Sequence, residues 1–105
     1  MLRVSSGSKR GFKLKVPLGG SVRPNTSKVR KMIFDILPPV TNLNVLDVFA
    51  GSGALGIEAL SMAAKYATFI DNNPSSIKCI KANLKKCEFE ARSTVIKKDS
   101  SIALR

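Results

Sequence analysis

A glycine-rich turn is the part of this chain whose residue types and spacing most clearly suggest chemistry. Residues 51–56 read Gly-Ser-Gly-Ala-Leu-Gly and fit the pattern G-x-G-x-x-G between a predicted strand and a predicted helix. Glycines at these positions let the backbone approach a ligand at the amino end of the helix that follows. The turn therefore predicts a cofactor site, although the pattern alone does not choose the class of cofactor.

Asp47 indicates which cofactor the turn accepts. It lies four residues before Gly51, at the predicted carboxyl end of a strand, where a carboxylate would repel a bound pyrophosphate. S-adenosylmethionine carries a sulfonium and an ammonium instead of phosphate, and a nearby carboxylate attracts both cations. The acid therefore favours S-adenosylmethionine over NAD. The alternative is that Asp47 only caps the turn and that the glycines only permit close packing.

Two further acids follow the next two predicted strands. Asp71 ends the second strand and could accept two hydrogen bonds from the ribose hydroxyls of an adenosine, in NAD or in S-adenosylmethionine. Asp99 lies just beyond the third strand and could accept a hydrogen bond from an adenine amino group, but alone it is equally typical of a surface acid. Because ligands bind beyond the carboxyl ends of such strands, the three acids together predict an adenosine site.

The elements that must position these acids alternate between strand and helix. A nearly unbroken apolar run at 45–49 is typical of a parallel strand covered on both faces. The other predicted strands are 67–70 and 94–96, and the helices between them run from the glycine turn to Ala64 and onward from Asn73. The order β-α-β-α-β predicts right-handed crossovers and a parallel sheet, and hence an α/β fold. Residues 41–105 would form this cofactor domain.

Residues 1–40 read as a basic appendage to that sheet. Strands are predicted at 2–5 and 11–16, and a helix is predicted from Asn25 or Thr26 to about Leu37. The apolar face predicted for that helix consists of Val29, Ile33, Ile36 and Leu37. The chain has 18 Lys and Arg against 7 Asp and Glu, a net charge of +11, and no acid precedes Asp35. This lopsided charge predicts contact with a polyanion, most simply a nucleic acid.

The alternative for the basic segment is a transit peptide, which is also basic and poor in acids. Phe12, Leu14 and Val16 alternate with Lys13 and Lys15, which favours a strand over a presequence helix. With no His in the chain, a Ser-His-Asp triad and a His metal site are excluded. The two cysteines suit neither a zinc site nor a disulfide framework, and no apolar run approaches the ~20 residues of a membrane span. We expect a soluble, cytoplasmic protein without a bound metal.

Three segments resemble the RsmD family, the bacterial 16S rRNA guanine-N2 methyltransferases. Asp47-Val-Phe-Ala-Gly-Ser-Gly-Ala-Leu-Gly56 resembles motif I of that family. Val22-Arg-Pro-Asn-Thr-Ser-Lys-Val-Arg-Lys-Met-Ile-Phe34 is similar to the family segment LRPTTDRVREALF, and Ser6-Gly-Ser-Lys-Arg-Gly-Phe-Lys-Leu14 to AGKYRGRKL. The resemblance covers essentially the whole chain, in order. It implies the N-terminal half of a Rossmann-like methyltransferase sheet, and methyl transfer from S-adenosylmethionine to a guanine amine of small-subunit rRNA.

The resemblance also implies roles for individual residues. The methionine part of the cofactor would lie against Asp47, Ala50, Gly51, Ser52 and Gly53, the ribose against Asp71 and its neighbour Asn72, and the adenine against Asp99. Arg23, Thr26 and Arg30 match family positions near the cofactor and RNA entrance; the alternative from the residues themselves is that they only cap the helix and bind phosphates. With Lys9, Arg10 and Lys13 of the basic hairpin, they form the predicted RNA or substrate side.

The chain departs from the family at the catalytic motif. Family members carry an Asn/Asp-Pro-Pro-aromatic sequence after a fourth strand, whereas the only Pro-Pro pair here follows Leu37 and precedes motif I. We therefore expect no catalytic residue and negligible transfer by this chain alone, with residues 45–49 as an open, aggregation-prone sheet edge. The alternative is a non-catalytic RNA- or cofactor-binding remnant, or a subunit of a split methyltransferase whose second chain supplies the missing half. An NAD-type dehydrogenase domain is a third reading, which Asp47 and the basic N-terminus oppose.

Overall fold

A three-stranded parallel sheet forms the centre of the computed structural model, which describes residues 2–17, 27–48 and 50–98. The strands are β1 (Asn44–Val48), β2 (Tyr66–Asp71) and β3 (Ser93–Lys97), in the order β1-β2-β3. Helix α1 (Ser27–Ile36) precedes the sheet, α2 (Ala54–Ser61) joins β1 to β2, and α3 (Pro74–Lys86) with a 3-10 turn (Glu90–Arg92) joins β2 to β3. The predicted Rossmann-like α/β fold is confirmed.

The register of the sheet brings the chemically interesting residues to one edge. Asp47 pairs with Phe69 in β2, and Asp71 pairs with Lys97 in β3. The parallel strands therefore end together, and the loops that leave them lie side by side. This arrangement puts Asp47, the glycine turn and Asp71 at the carboxyl edge, where ligands bind in such folds.

Both connecting helices cover the same face of the sheet. Helix α2 packs on β1 and β2, and α3 packs on β2 and β3. Phe69, at the centre of β2, is fully buried on this face within a cluster that includes Ile57 of α2 and Ile80 of α3. On the other face Leu46 is 48% exposed. The prediction of a first strand covered on both faces is therefore wrong for the described residues, because both crossovers add their helices to one side.

Helix α1 buries a different face from the one that its apolar residues predicted. Ile36 is 80% exposed, and Val29 and Leu37 are also exposed. The helix is instead anchored by Arg30, which is 1% exposed, and by Phe34, which packs against the core. The apolar pattern was misleading because an ion pair, described below, fixes which side of the helix faces the protein.

The predicted N-terminal strand pair is present as a short hairpin. Arg3 and Lys13 form an antiparallel bridge, and the Val4 and Leu14 amides donate to the Phe12 and Leu2 carbonyls at 2.9 Å. Val4 and Leu14 lie in the same core cluster as the helices of the sheet domain, while Lys13 and Lys15 stay exposed. The alternation predicted for this arm is confirmed at Leu14 and is wrong at Val16, which is 55% exposed. The domain boundary at residue 40 stays a prediction. No helix in the described part of the chain is long and apolar enough to cross a membrane.

Candidate cofactor site

The glycine turn has the backbone shape that its sequence predicted. Gly51 and Gly53 have φ angles of 59° and 82°, in the left-handed region that favours glycine. The Gly53 amide donates to the Ala50 carbonyl at 2.8 Å, and the Gly53 carbonyl accepts the Ile57 amide at 2.9 Å, which starts α2. The turn therefore leads directly from β1 into the helix.

The third glycine of the pattern has a packing role. A Cβ atom added at Gly56 would overlap the ring of Phe69. Glycine here allows α2 to approach β2 closely, as the last glycine does in cofactor-binding turns of this kind. The geometry at Gly56 therefore agrees with the alternative that the glycines permit close packing.

Asp47 lies beneath the turn, and its side chain is almost fully enclosed. Only 7% of the residue is exposed, and Oδ2 accepts a hydrogen bond from the Gly56 amide at 3.0 Å. Burial raises the pKa of this carboxyl to about 7; the Gly56 hydrogen bond opposes the rise, and the nearby charge of Asp71 adds to it. Asp47 therefore caps the turn, and a cationic ligand beside it would favour its ionised form.

Asp71 ties the end of β2 to the same turn. Its Oδ2 accepts the Gly51 amide at 2.9 Å, and its Oδ1 accepts the Asn73 amide at 2.9 Å. Asn73 in turn caps α3, with its side-chain oxygen accepting the Ser75 amide at 2.8 Å. Each oxygen of Asp71 keeps a further lone pair, so the carboxylate can accept hydroxyl groups from a ligand. Asn72 is exposed beside it, and Asp99 lies outside the described residues.

Ser52 connects the turn to a residue that the sequence did not reveal. It is buried, and its carbonyl accepts the Asn83 side-chain amide at 2.9 Å. Asn83 lies on α3 and is 1% exposed. The sequence signal that could have revealed Asn83 was its position next to Leu84 and three residues after Ile80, on the apolar side of the predicted helix.

Glu58 is the second buried polar residue that the sequence analysis missed. It is 1% exposed on α2 and forms an ion pair with Arg30, with 3.3 Å between Oε1 and Nε. Its carboxylate also accepts the Ser5 amide at 2.9 Å and the Ser6 hydroxyl at 2.6 Å. One acid thus joins α2, the hairpin and α1. A lone acid within the apolar run 54–60 was the signal that could have found it.

The residues predicted on the RNA side are in different environments. Arg10 and Lys13 are exposed, and Lys9 lies 3.6 Å from Glu88 and close to the Phe12 ring. Arg23 and Thr26 lie outside the described residues. Arg30 is a correction: its guanidinium is buried against Glu58 and donates to the Arg3 carbonyl at 2.6 Å, so it is a structural residue and has no surface to offer to RNA.

The chain is a Rossmann-like α/β domain with the fold of S-adenosylmethionine-dependent methyltransferases. The family model described as "Conserved hypothetical protein 95" matches residues 2–105. The chain belongs to this family, the RsmD family, and corresponds to its N-terminal part.

Individual relatives support the same assignment. YlbH of Bacillus subtilis, whose name describes a proposed rRNA methyltransferase, is 43% identical over 104 residues, covering 98% of this chain and 56% of that protein. The ribosomal RNA small subunit methyltransferase D of Escherichia coli is 49% identical over 71 residues, covering 67% of this chain and 36% of that protein. The solved structure of the proposed methyltransferase yhhF from Escherichia coli has a TM-score of 0.85 and 35% identity, covering 98% of this chain and 55% of that one. The chain thus spans about half the length of these relatives, or less.

Proposed function

We propose that this chain is the S-adenosylmethionine-binding part of an RNA methyltransferase whose substrate is a guanine amine of small-subunit rRNA. The substrate assignment follows from the names of the relatives and from the sequence resemblance. We assign the protein to the cytoplasm because its relatives are bacterial proteins named for rRNA methylation. The cofactor assignment follows from the chemistry of the site.

The choice of cofactor rests on the three glycine amides of the turn, each of which already donates to an acceptor within the protein. The Gly51 amide donates to Asp71, the Gly53 amide to Ala50, and the Gly56 amide to Asp47. A dinucleotide site needs such amides for its pyrophosphate. Here two of the three are bound to carboxylates, which also repel phosphate. The same carboxylates attract the sulfonium and ammonium of S-adenosylmethionine.

The bound cofactor would supply an electrophilic methyl group on sulfur. In this site Asp47 would hold the turn and contribute negative charge beneath it, and Asp71 would accept the ribose hydroxyls. The family motif that positions the attacking amine is absent from the sequence. We therefore expect the chain on its own to bind the cofactor without transferring the methyl group.

The pH dependence of cofactor binding tests this function. With the pKa of Asp47 at about 7, the ionised fraction rises from about 3% at about pH 5.5 to about 75% at about pH 7.5. Because the ionised form is the one that binds the cation, the affinity for S-adenosylmethionine should rise about 25-fold over that range. Isothermal titration calorimetry measures it. In Asp47→Asn the rise should vanish and the affinity should stay low. An affinity that is the same at both pH values in the unmodified protein would contradict the role of Asp47.

The same variant provides a control for folding. A carboxyl whose pKa is raised in the folded state lowers stability as the pH increases from its unfolded pKa, about 4, to its folded pKa, about 7. Asp47→Asn keeps an oxygen for the Gly56 amide and removes this penalty. We expect its Tm at neutral pH to equal or exceed that of the unmodified protein, so weaker binding could not be attributed to unfolding.

A further inference from the structure

A lysine-lined cleft separates the second arm of the hairpin from the C-terminal half of α3. Its volume is about 620 Å³, and it is lined by Lys13, Leu14, Lys15, Ala82, Asn83, Lys85 and Lys86. Four of these seven residues are lysines and none is acidic. We refer to it as the lysine cleft.

The two walls of the lysine cleft are held together by specific hydrogen bonds. The buried Asn83 side chain pairs with the Lys15 backbone, accepting its amide at 2.8 Å and donating to its carbonyl at 3.0 Å. At the outer end, Lys86 Nζ donates to the Lys13 carbonyl at 2.6 Å. These hydrogen bonds hold the backbones of the two walls around a preformed space, and they fix the Lys86 side chain at its outer end.

The positive charge in the cleft is not neutralised from within the described part of the protein. The ion pairs in residues 2–17, 27–48 and 50–98 are Lys9 with Glu88 and Arg30 with Glu58, and neither includes a lysine of the cleft. Lys15 lies on the hairpin wall and Lys85 on the α3 wall, and both are exposed to solvent. Four ammonium groups around one open space attract a ligand with several negative charges at short intervals.

The inner end of the lysine cleft lies one side chain from the cofactor turn. The Asn83 amide that donates to Lys15 also donates to the Ser52 carbonyl at 2.9 Å. An anionic chain held in the cleft would therefore run towards the edge at which Asp47 and Asp71 hold the turn. A phosphodiester backbone carries one negative charge per nucleotide, and proteins bind it chiefly through lysine and arginine side chains.

We propose that the lysine cleft binds the phosphodiester backbone of the RNA substrate and directs it to the cofactor edge. This inference rests on the proposed function, and it adds Lys15, Lys85 and Lys86 to the predicted contact Lys13. Asn83 is a positioning residue in this arrangement, since it joins the RNA-binding wall to the turn.

Salt-dependent RNA binding tests the proposal. The double variant Lys15→Gln/Lys85→Gln removes one charge from each wall, and neither side chain donates a hydrogen bond in the described structure. The control, Lys65→Gln/Lys78→Gln, removes two other exposed lysines that do not line the cleft. Fluorescence anisotropy with a labelled hairpin of small-subunit rRNA gives the slope of log affinity against log salt. We expect the magnitude of this slope to decrease by about two in the cleft variant, because two phosphate contacts are lost. In the control it should decrease by less than half as much.

Each outcome has a definite meaning. Equal slopes for the two double variants would overturn the cleft while leaving the proposed function intact. Failure of the unmodified protein to bind the RNA would overturn the cleft, and its titration with S-adenosylmethionine would report separately on the cofactor site. Displacement of the RNA by polyglutamate at equal charge concentration would show a general polyanion surface and would overturn the assignment to RNA. Thermal melts of both variants should match that of the unmodified protein.

Discussion

Replacing Glu58 with alanine is expected to lower the free energy of unfolding by about 3–5 kcal/mol, because the change leaves the buried charge of Arg30 without its acidic partner. Both side chains are almost fully enclosed, and their closest N and O atoms are 3.3 Å apart. The change would also remove the acceptor of the Ser5 amide and the Ser6 hydroxyl. The hairpin and α1 would lose their common attachment to α2. Urea denaturation followed by circular dichroism measures the loss.

Glu88→Ala is the matched control for this prediction. Glu88 also pairs with a basic residue, Lys9, but its side chain is largely exposed, so its loss should cost about 0–1 kcal/mol. Glu58→Gln removes the charge and keeps an oxygen acceptor, so it should retain enough structure to measure if the alanine variant does not fold. Combining Glu58→Leu with Arg30→Met should restore part of the stability, because the pair is then removed as a unit. Equal costs for Glu58→Ala and Glu88→Ala would contradict the structural role of the pair.

Asp71→Ala is expected to weaken binding of S-adenosylmethionine about 100-fold or more. In the proposed site Asp71 accepts the ribose hydroxyls, and it also holds the Gly51 and Asn73 amides in place. Loss of charge-assisted hydrogen bonds costs about 1.5–3 kcal/mol each, and about 2.7 kcal/mol corresponds to a factor of 100 in affinity. Isothermal titration of the variant and of the unmodified protein under the same conditions measures the ratio.

Asp35→Ala is the matched control for this prediction. It removes a carboxylate from an exposed position on α1, and it should leave the affinity for S-adenosylmethionine within about twofold, since exposed charges act weakly at a distance. Asp71→Asn keeps an acceptor oxygen and should fall between the two variants. If Asp71→Ala binds S-adenosylmethionine as tightly as the unmodified protein while melting normally, then Asp71 only fixes the turn.

The parallel sheet and the glycine turn could be predicted from the sequence because each depends on local pattern. Apolar runs separated by helical patterns leave few alternatives to β-α-β-α-β, and positive φ angles at Gly51 and Gly53 match the turn that their spacing indicates. The placement of the acids at the ends of β1 and β2 could be predicted for the same reason, and the strand register agrees with it. Predicting these features requires no information about tertiary packing.

The environments of Arg30 on α1 and Asn83 on α3 could not be predicted, because they depend on partners distant in sequence. An arginine in a basic helix is typical of a nucleic-acid contact, yet Arg30 is buried by an acid 28 residues further along the chain. Asn83 is a similar case, since it bonds to Lys15, 68 residues away. Buried polar pairs of this kind override helix amphipathicity, and single-sequence patterns do not reveal which polar residue finds its partner.

In the proposed site, the carboxylates bound to the glycine turn would select a cationic cofactor and reject a phosphate-bearing one. Parallel calorimetric titrations of the same protein at about pH 7.5, one with S-adenosylmethionine and one with NADH, distinguish the two classes of cofactor. We expect saturable binding of S-adenosylmethionine at one site and no detectable binding of NADH. Saturable binding of NADH with no response to S-adenosylmethionine would show that these carboxylates do not exclude phosphate.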